Sequence, residues 1–263
     1  MTERFGGVLR DWRLRRRVSQ LELAVRAGTT QRHVSFLESG RSAPGRAMII
    51  RLAESLDVPI RERNDLLLAA GFAPAYPRNA LDSPQLAAVR AALEHVLRGH
   101  LPYPAVVVDR HGDLVSGNAA FHRLTRGADP GLLGPAMSVA RLLLHPRGLA
   151  PRIVNLDEWA WHVVDRVRAE AVRNPDDRLL ALAAELAGLA PPRPREPGRQ
   201  HLGFAVPLRL RDTDEHGRGR ELRLITTLTH FGTAVDVTIA ELRLEAFLPA
   251  DAATAEALAG ALT

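Results

Sequence analysis

Gln31 and Arg32 are the side chains with the clearest chemistry. They follow Gly28-Thr29-Thr30, and Thr30 is a good N-cap, so both fall in the first turn of a predicted helix. An amide and a guanidinium make paired hydrogen bonds to purine edges, Gln to adenine N6/N7 and Arg to guanine O6/N7. Enzyme chemistry finds much less support. There is no cysteine, hence no thiol nucleophile, disulfide or thiolate metal site. No GxSxG, HExxH, Walker loop or GxGxxG occurs. His95, His100, His111, His122, His145, His162, His201, His216 and His230 are scattered. Glu158 and His162 stand four apart on a predicted helix, a spacing that suits metal binding or acid–base work but is more often a solvated helix pair. The expectation is no catalytic residue, no metal and no enzyme.

The distribution of charge fits a polyanion partner. All 35 basic residues are Arg, a usage that a GC-rich bacterial genome produces without functional cause. Residues 1–72 hold 13 Arg against 8 Asp and Glu, whereas residues 73–263 balance at 22 of each. The whole surplus of +5 therefore lies in the first quarter. Arginines that neutralise phosphates release counterions, which favours nucleic acid; the alternative is a solvated basic face. No apolar run of about eighteen residues is present and the N-terminus lacks a signal-peptide core, so a cytoplasmic protein without a membrane partner is expected.

The elements that must position Gln31 and Arg32 come in the first 72 residues, which read as five short helices. Val8, Leu9, Trp12 and Leu14 mark the first. Ser19 with Glu22 forms a capping box for the second, which stops at Gly28. Thr30 opens the third, which ends at Gly40, and two more cover about 47–56 and 60–70. Residues 73–83 (APAYPRNALDS) read as a linker, after which Ser83 caps a helix at 84–98. Residues 84–263 form the second domain. Strands are expected at 105–109 and 114–116, joined by a turn at His111-Gly112-Asp113, and Asn118 begins a helix. Residues 138–189 are largely helical with a break near Pro146–Pro151. The Pro- and Arg-rich stretch 190–200 reads as an exposed loop. Strands follow at 202–210, 221–231 and 235–248, the last with one buried face by its alternation. Two early strands, a helical insertion and three late antiparallel strands describe an α+β domain.

Residues 19–39, SQLELAVRAGTTQRHVSFLES, have two helices, a tight turn with Gly28, a small Ala24 at the crossing and apolar Val34 and Leu37. With Glu38 and Gly40-Arg41, they make residues 5–58 resemble the λ-repressor-like, or XRE, helix-turn-helix family. The resemblance implies an all-α DNA-binding domain of five helices. It also implies roles: Gln20 braces Gln31 and touches a phosphate, and Thr30 lies near the backbone. Gln31 and Arg32 face base edges, His33 and Ser35 make backbone or flank contacts, and Arg41 and Arg46 meet phosphates. Phe36 departs from the polar residue common at its position and would meet thymine methyls. Arg13 is either a phosphate contact or, as the resemblance implies, an interior partner of Glu38. Arg15-Arg16-Arg17 is either a solvated turn or a DNA contact. One such unit covers a half-site, so a homodimer on a pseudo-palindromic double-stranded operator is expected.

PYPAVVVDRHGDLVSGNAAFHRLT looks like the opening of a PAS-type sensor. With RLLLHPRGLAPRIVNLDEWAWHVVDRVRAEA and HFGTAVDVTIAELRLEAFLPAD, the chain resembles the MmyB-like regulators. That implies a PAS-like domain with a five-stranded antiparallel sheet and a helical insertion, binding a small apolar effector, one class being fatty-acyl-like. Trp159, His162, Val163 and Arg166 share a face at helical spacing, and Arg152 and His162 are candidates for the polar end of a pocket. The alternative places the tryptophans in the core and Arg152 in a structural ion pair. A cysteinyl flavin adduct is excluded by composition. Haem could use His122, His145 or His162, but no attachment motif accompanies them. The domain could also serve only for dimerisation or protein docking, or be an enzyme fused to a DNA-binding domain.

Overall fold

The computed structural model describes residues 2–134, 137–194, 205–213, 217–232 and 234–260. They form two compact units, Met1–Ala80 with Gly232–Ala240, and Leu81–Phe231 with Glu241–Thr263.

The first unit contains α1 (Thr2–Arg15), α2 (Gln20–Arg26), α3 (Gln31–Glu38), α4 (Arg46–Ser55) and α5 (Ile60–Ala69). Phe5, Leu9 and Trp12 bury one face of α1 against Leu23, Val34, Leu37, Leu52 and Leu67. Leu14 was expected on that face but is 53% exposed. Two residues past Trp12 is about 200° of helix rotation, which carries Leu14 to the opposite side. The Ser19 hydroxyl accepts a hydrogen bond from the Glu22 amide, and the Thr30 hydroxyl from the His33 amide. Gly28 takes φ +62°, the left-handed turn that a side chain would strain. Gly6 lets α1 approach α3 closely, since a Cβ there would stand 2.6 Å from the carbonyl oxygens of Leu37 and Glu38.

Residues 73–80 belong to this unit. The Asn64 side chain holds them, accepting from the amides of Ala75 (2.9 Å) and Tyr76 (3.1 Å) and donating to the Tyr76 carbonyl (2.8 Å). The stretch 232–240, which contains a short helix α11 (Val237–Ala240), completes the unit. Asp236 accepts from the backbone and side-chain amides of Asn79 (3.2 and 2.8 Å), and Thr238 donates to the Asn79 carbonyl (2.6 Å).

The second unit is a sheet with helices on both faces. Its helices are α6 (Ala87–Gly99), α7 (Ala119–Leu124), α8 (Val139–Leu144), α9 (Leu156–Arg173), α10 (Asp177–Leu189) and α12 (Ala252–Gly260). Its strands are β1 (Ala105–Val108), β2 (Leu114–Gly117), β3 (Leu208–Thr213), β4 (Gly219–His230) and β5 (Arg243–Pro249). Their order is β2-β1-β5-β4-β3, antiparallel throughout. Leu93 and Leu97 of α6 cover one face over Ala105, Val107, Leu244 and Ala246. Phe121, Leu142, Trp159 and Val163 cover the other over Val106, Leu224 and Phe247. The five-stranded α+β architecture and its helical insertion are thus as the sequence implies.

Four local expectations change. Ser83 does not cap with its side chain, because Pro84–Leu86 form a 3-10 turn and the α-helix begins only at Ala87. The strand expected at 202–210 runs at Leu208–Thr213; its expected start, 202–204, lies outside the described residues. The strand expected at 235–248 starts at Arg243, since Val237–Ala240 coil into a helix. It is also buried on both faces from Leu244 to Phe247, because helices lie above and below it.

Candidate nucleic-acid interface and ligand-binding site

The base of α3 is fixed by a buried ion pair. Arg13 grips Glu38 through Nε (2.6 Å) and a terminal nitrogen (2.9 Å), while its other terminal nitrogen donates to the Val18 carbonyl (3.0 Å). The bond to Glu38 raises the Arg13 pKa above its ordinary value. Of the two readings open for Arg13, the structure therefore gives the interior pair. Gln20 donates to the same carboxylate (2.8 Å). The expected brace from Gln20 to Gln31 is absent among the described hydrogen bonds, because Glu38 occupies the Gln20 amide.

With Val34 and Leu37 buried beneath, the opening of α3 faces outward: Gln31 and Arg32 are both exposed. Thr30 is spent on capping, and the Thr29 hydroxyl lies 2.9 Å from Nδ1 of His33. Phe36 is half-buried and lies between two guanidinium groups, Arg32 at 5.1 Å and Arg41 at 6.0 Å from its ring centre. It thus touches both cations beside it, a role its type alone did not reveal. Ser35 is half-buried, and Arg46 is exposed in the first turn of α4. In the Arg15-Arg16-Arg17 run, Arg16 stacks over Trp12 and donates to the carbonyls of Leu56 (2.9 Å) and Asp57 (3.0 Å), closing the end of α4.

The five ligand candidates of the second unit do not converge. Trp159 and Val163 lie wholly in the core, while His162 is exposed, so the face expected to unite them is divided. A period of 3.6 carries residue 162 about 60° from Trp159 and about 100° from Val163, enough to leave the sheet. Arg166 lines a recess of about 190 Å³ between α8, α9, α10 and the sheet. Arg152 lines a separate cleft of about 930 Å³, donating to the carbonyls of Leu124 (2.7 Å) and Arg211 (3.2 Å) and standing 3.6 Å from Asp212.

Sequence reasoning missed two residues of the recess. Glu245, buried on β5, stands 3.5 Å from Arg166. Arg243 sits two residues away on the same strand, and its Nε is buried without a hydrogen-bond partner among the described residues. The signal was present: charged residues in a strand buried on both faces mark a site that must serve them. Apolar Leu143, Leu179 and Leu182 share the wall with the polar side chains of Glu170, Arg173 and His230. Among the described residues no His, Asp and Glu cluster could hold a metal, and no helix is long and apolar enough to cross a membrane.

Comparison with known proteins agrees with both units. Residues 9–63 match a helix-turn-helix family, and residues 89–260 match the MmyB-like transcription regulator ligand binding domain. An uncharacterized HTH-type transcriptional regulator, y4dL, of Sinorhizobium fredii (strain NBRC 101917 / NGR234) is 38% identical over 82 residues. That match spans 31% of this chain and 39% of the relative. Among solved structures, an RNA-binding light-oxygen-voltage receptor overlaps 99% of this chain and 64% of its own, at 12% identity and a TM-score of 0.26, too loose to carry an argument. The outward-facing α3 on its buried ion pair, the five-stranded sheet and the match over residues 89–260 lead to one conclusion: the chain belongs to the MmyB-like transcription regulators, with an N-terminal helix-turn-helix and a C-terminal ligand-binding domain.

Proposed function

We propose that the protein reads a pseudo-palindromic operator as a homodimer, and that a small apolar effector with an anionic end sets its operator affinity. The observation that carries the operator reading is the exposed opening of α3, with Gln31 and Arg32 outward and Glu38 anchored from behind by Arg13 and Gln20. Gln31 and Arg32 read bases, with Phe36 alongside. Arg41 and Arg46 meet phosphates, and Gln20, Thr30, His33 and Ser35 flank them. Two such helices on a two-fold axis read half-sites about 34 Å apart. The test is selection of operators from random duplexes, followed by gel-shift titration. Arg32→Ala should lose roughly 1–3 kcal/mol and relax preference at one base pair. Equal affinity for selected and scrambled duplexes refutes the reading.

The effector reading is supported by the recess holding Arg166. Its wall is apolar at Leu143, Leu179 and Leu182, and its cationic end includes the unsatisfied Nε of Arg243. A carboxylate on an aliphatic tail would supply that acceptor. Trp159 and Val163 shape the adjoining core instead of touching the ligand. The volume, about 190 Å³, is below that of usual small-molecule sites, so a long tail must part the helices over the sheet. That displacement is what gives the effector unequal affinity for two states, the condition for control. Native mass spectrometry followed by denaturing extraction reads the dimer and the co-purified molecule together. Identical operator affinity with and without that molecule sinks the effector reading.

A further inference from the structure

We propose that the ligand-binding domain carries a second site, for a small molecule bearing a phosphate or pyrophosphate group, in the arginine-lined cleft beside α7, the β3–β4 hairpin and α12. This rests on the domain being a ligand-binding module, and not on operator control.

Six arginines line the cleft of about 930 Å³: Arg123, Arg126, Arg152, Arg211, Arg218 and Arg220. Among its described lining residues only Asp212 and Glu256 are acidic. Glu256 is exposed on α12, and the Asp212 carboxylate is divided between Arg220 (2.8 Å) and Arg152 (3.6 Å). Arg126 has no ion-pair partner among the described residues. Elsewhere in the domain arginines are matched by carboxylates, as in Arg141 with Glu185 and Arg110 with both Asp176 and Glu241. The cleft is therefore a local cationic excess in a domain of balanced charge. Arginine cannot relieve such crowding by losing its proton near neutral pH. Burial lowers the pKa of Arg123; Asp212 opposes that shift, and Arg220 and Arg126 add smaller contributions in the lowering direction.

An incoming polyanion removes that repulsion and gains charge-assisted hydrogen bonds, often bidentate, from guanidinium forks. One carboxylate would leave most of the excess in place, whereas a pyrophosphate brings several charges on a compact group. Leu124, Leu222 and Leu258 add an apolar wall, which fits a ring or chain attached to the phosphate. A nucleic-acid backbone has no use for that wall. The volume lies within the usual range of small-molecule sites.

The test is isothermal titration of the full-length protein with inorganic pyrophosphate, ADP and laurate. Pyrophosphate and ADP should bind, and Arg123→Gln combined with Arg126→Ala should weaken both about tenfold or more, leaving laurate unchanged. If Arg123→Gln lowers the thermal midpoint, the exposed Arg126→Ala alone carries the test, with an expected loss of about threefold to tenfold. Absent pyrophosphate binding, or equal binding by wild type and variants, overturns the proposal. So does a variant that loses affinity only for non-specific duplex DNA, which makes the cleft a nucleic-acid surface. Gel-shift failure would refute the operator reading and leave the titration result standing.

Discussion

Removing the Glu38 carboxylate should cost the first unit more than any other polar substitution on its surface or in its core. The side chains of Arg13 and Glu38 are 10% and 5% exposed, so Glu38→Ala strands a guanidinium that keeps only its bond to the Val18 carbonyl. It also leaves the Gln20 amide without its acceptor. Breaking one side of a buried pair costs about 3–5 kcal/mol. For a unit of this size each kcal/mol lowers Tm by about 4–8 °C, so a fall of roughly 12 °C or more is expected. Hydrogen-exchange mass spectrometry on peptides from residues 20–38 isolates this unit from the sheet domain. The double variant Arg13→Met with Glu38→Leu tests the reasoning more sharply. Replacing both charges by apolar groups removes the stranded ion, so it should recover most of the loss. A loss below about 1 kcal/mol for Glu38→Ala, or a double variant as unstable as the single, would refute the argument.

Two further outcomes follow from geometry already described. Gly6→Ala puts a methyl 2.6 Å from the Leu37 and Glu38 carbonyls and should destabilise by about 1–3 kcal/mol; operator affinity that stays unchanged at lowered stability would show that α3 keeps its place. Asp176 caps α10 through the amides of Arg178 and Leu179 and meets Arg110 at 2.8 Å. Burial acts to raise its pKa, but the Leu179 amide, Arg110 and His111 outweigh it and hold it below the ordinary 3.8. A lowered folded pKa means that the stabilisation is full above the ordinary value and is lost as pH falls through the folded one. Acid titration by circular dichroism should show the sheet domain weakening below about pH 3.8, with a flatter profile in Asp176→Asn; coincident profiles would exclude the cap as the cause.

The parts of the fold that local chemistry dictates were legible in the sequence. Ser19, Gly28 and Thr30 each act within three or four residues, and the structure places all three as their types require. The two-sided burial of the strand at 243–249 has a different origin. Whether an apolar residue is covered depends on what packs above it, and α6 reaches β5 from far along the chain. The arginine cleft was illegible for the same reason. Its lining comes from residue 104 to residue 260, and no spacing in the sequence gathers them. The alternation along 235–248 puts Arg243 and Glu245 on its polar side, a pattern that is accurate for residue type and silent on burial.

The stretch 232–240 bears on how far the helix-turn-helix unit is a transferable part. It contributes Asp236, Val237 and Thr238 to a unit whose other residues end at 80. Cutting after residue 83 keeps all five helices but removes the partners of Asn79 and Pro77, four hydrogen bonds in all. A chimera joined at that point inherits a helix-turn-helix unit missing one of its pieces. The connection between β4 and β5 has to travel with the first eighty residues, which makes this chain a poor donor for simple exchange of domains by a single splice.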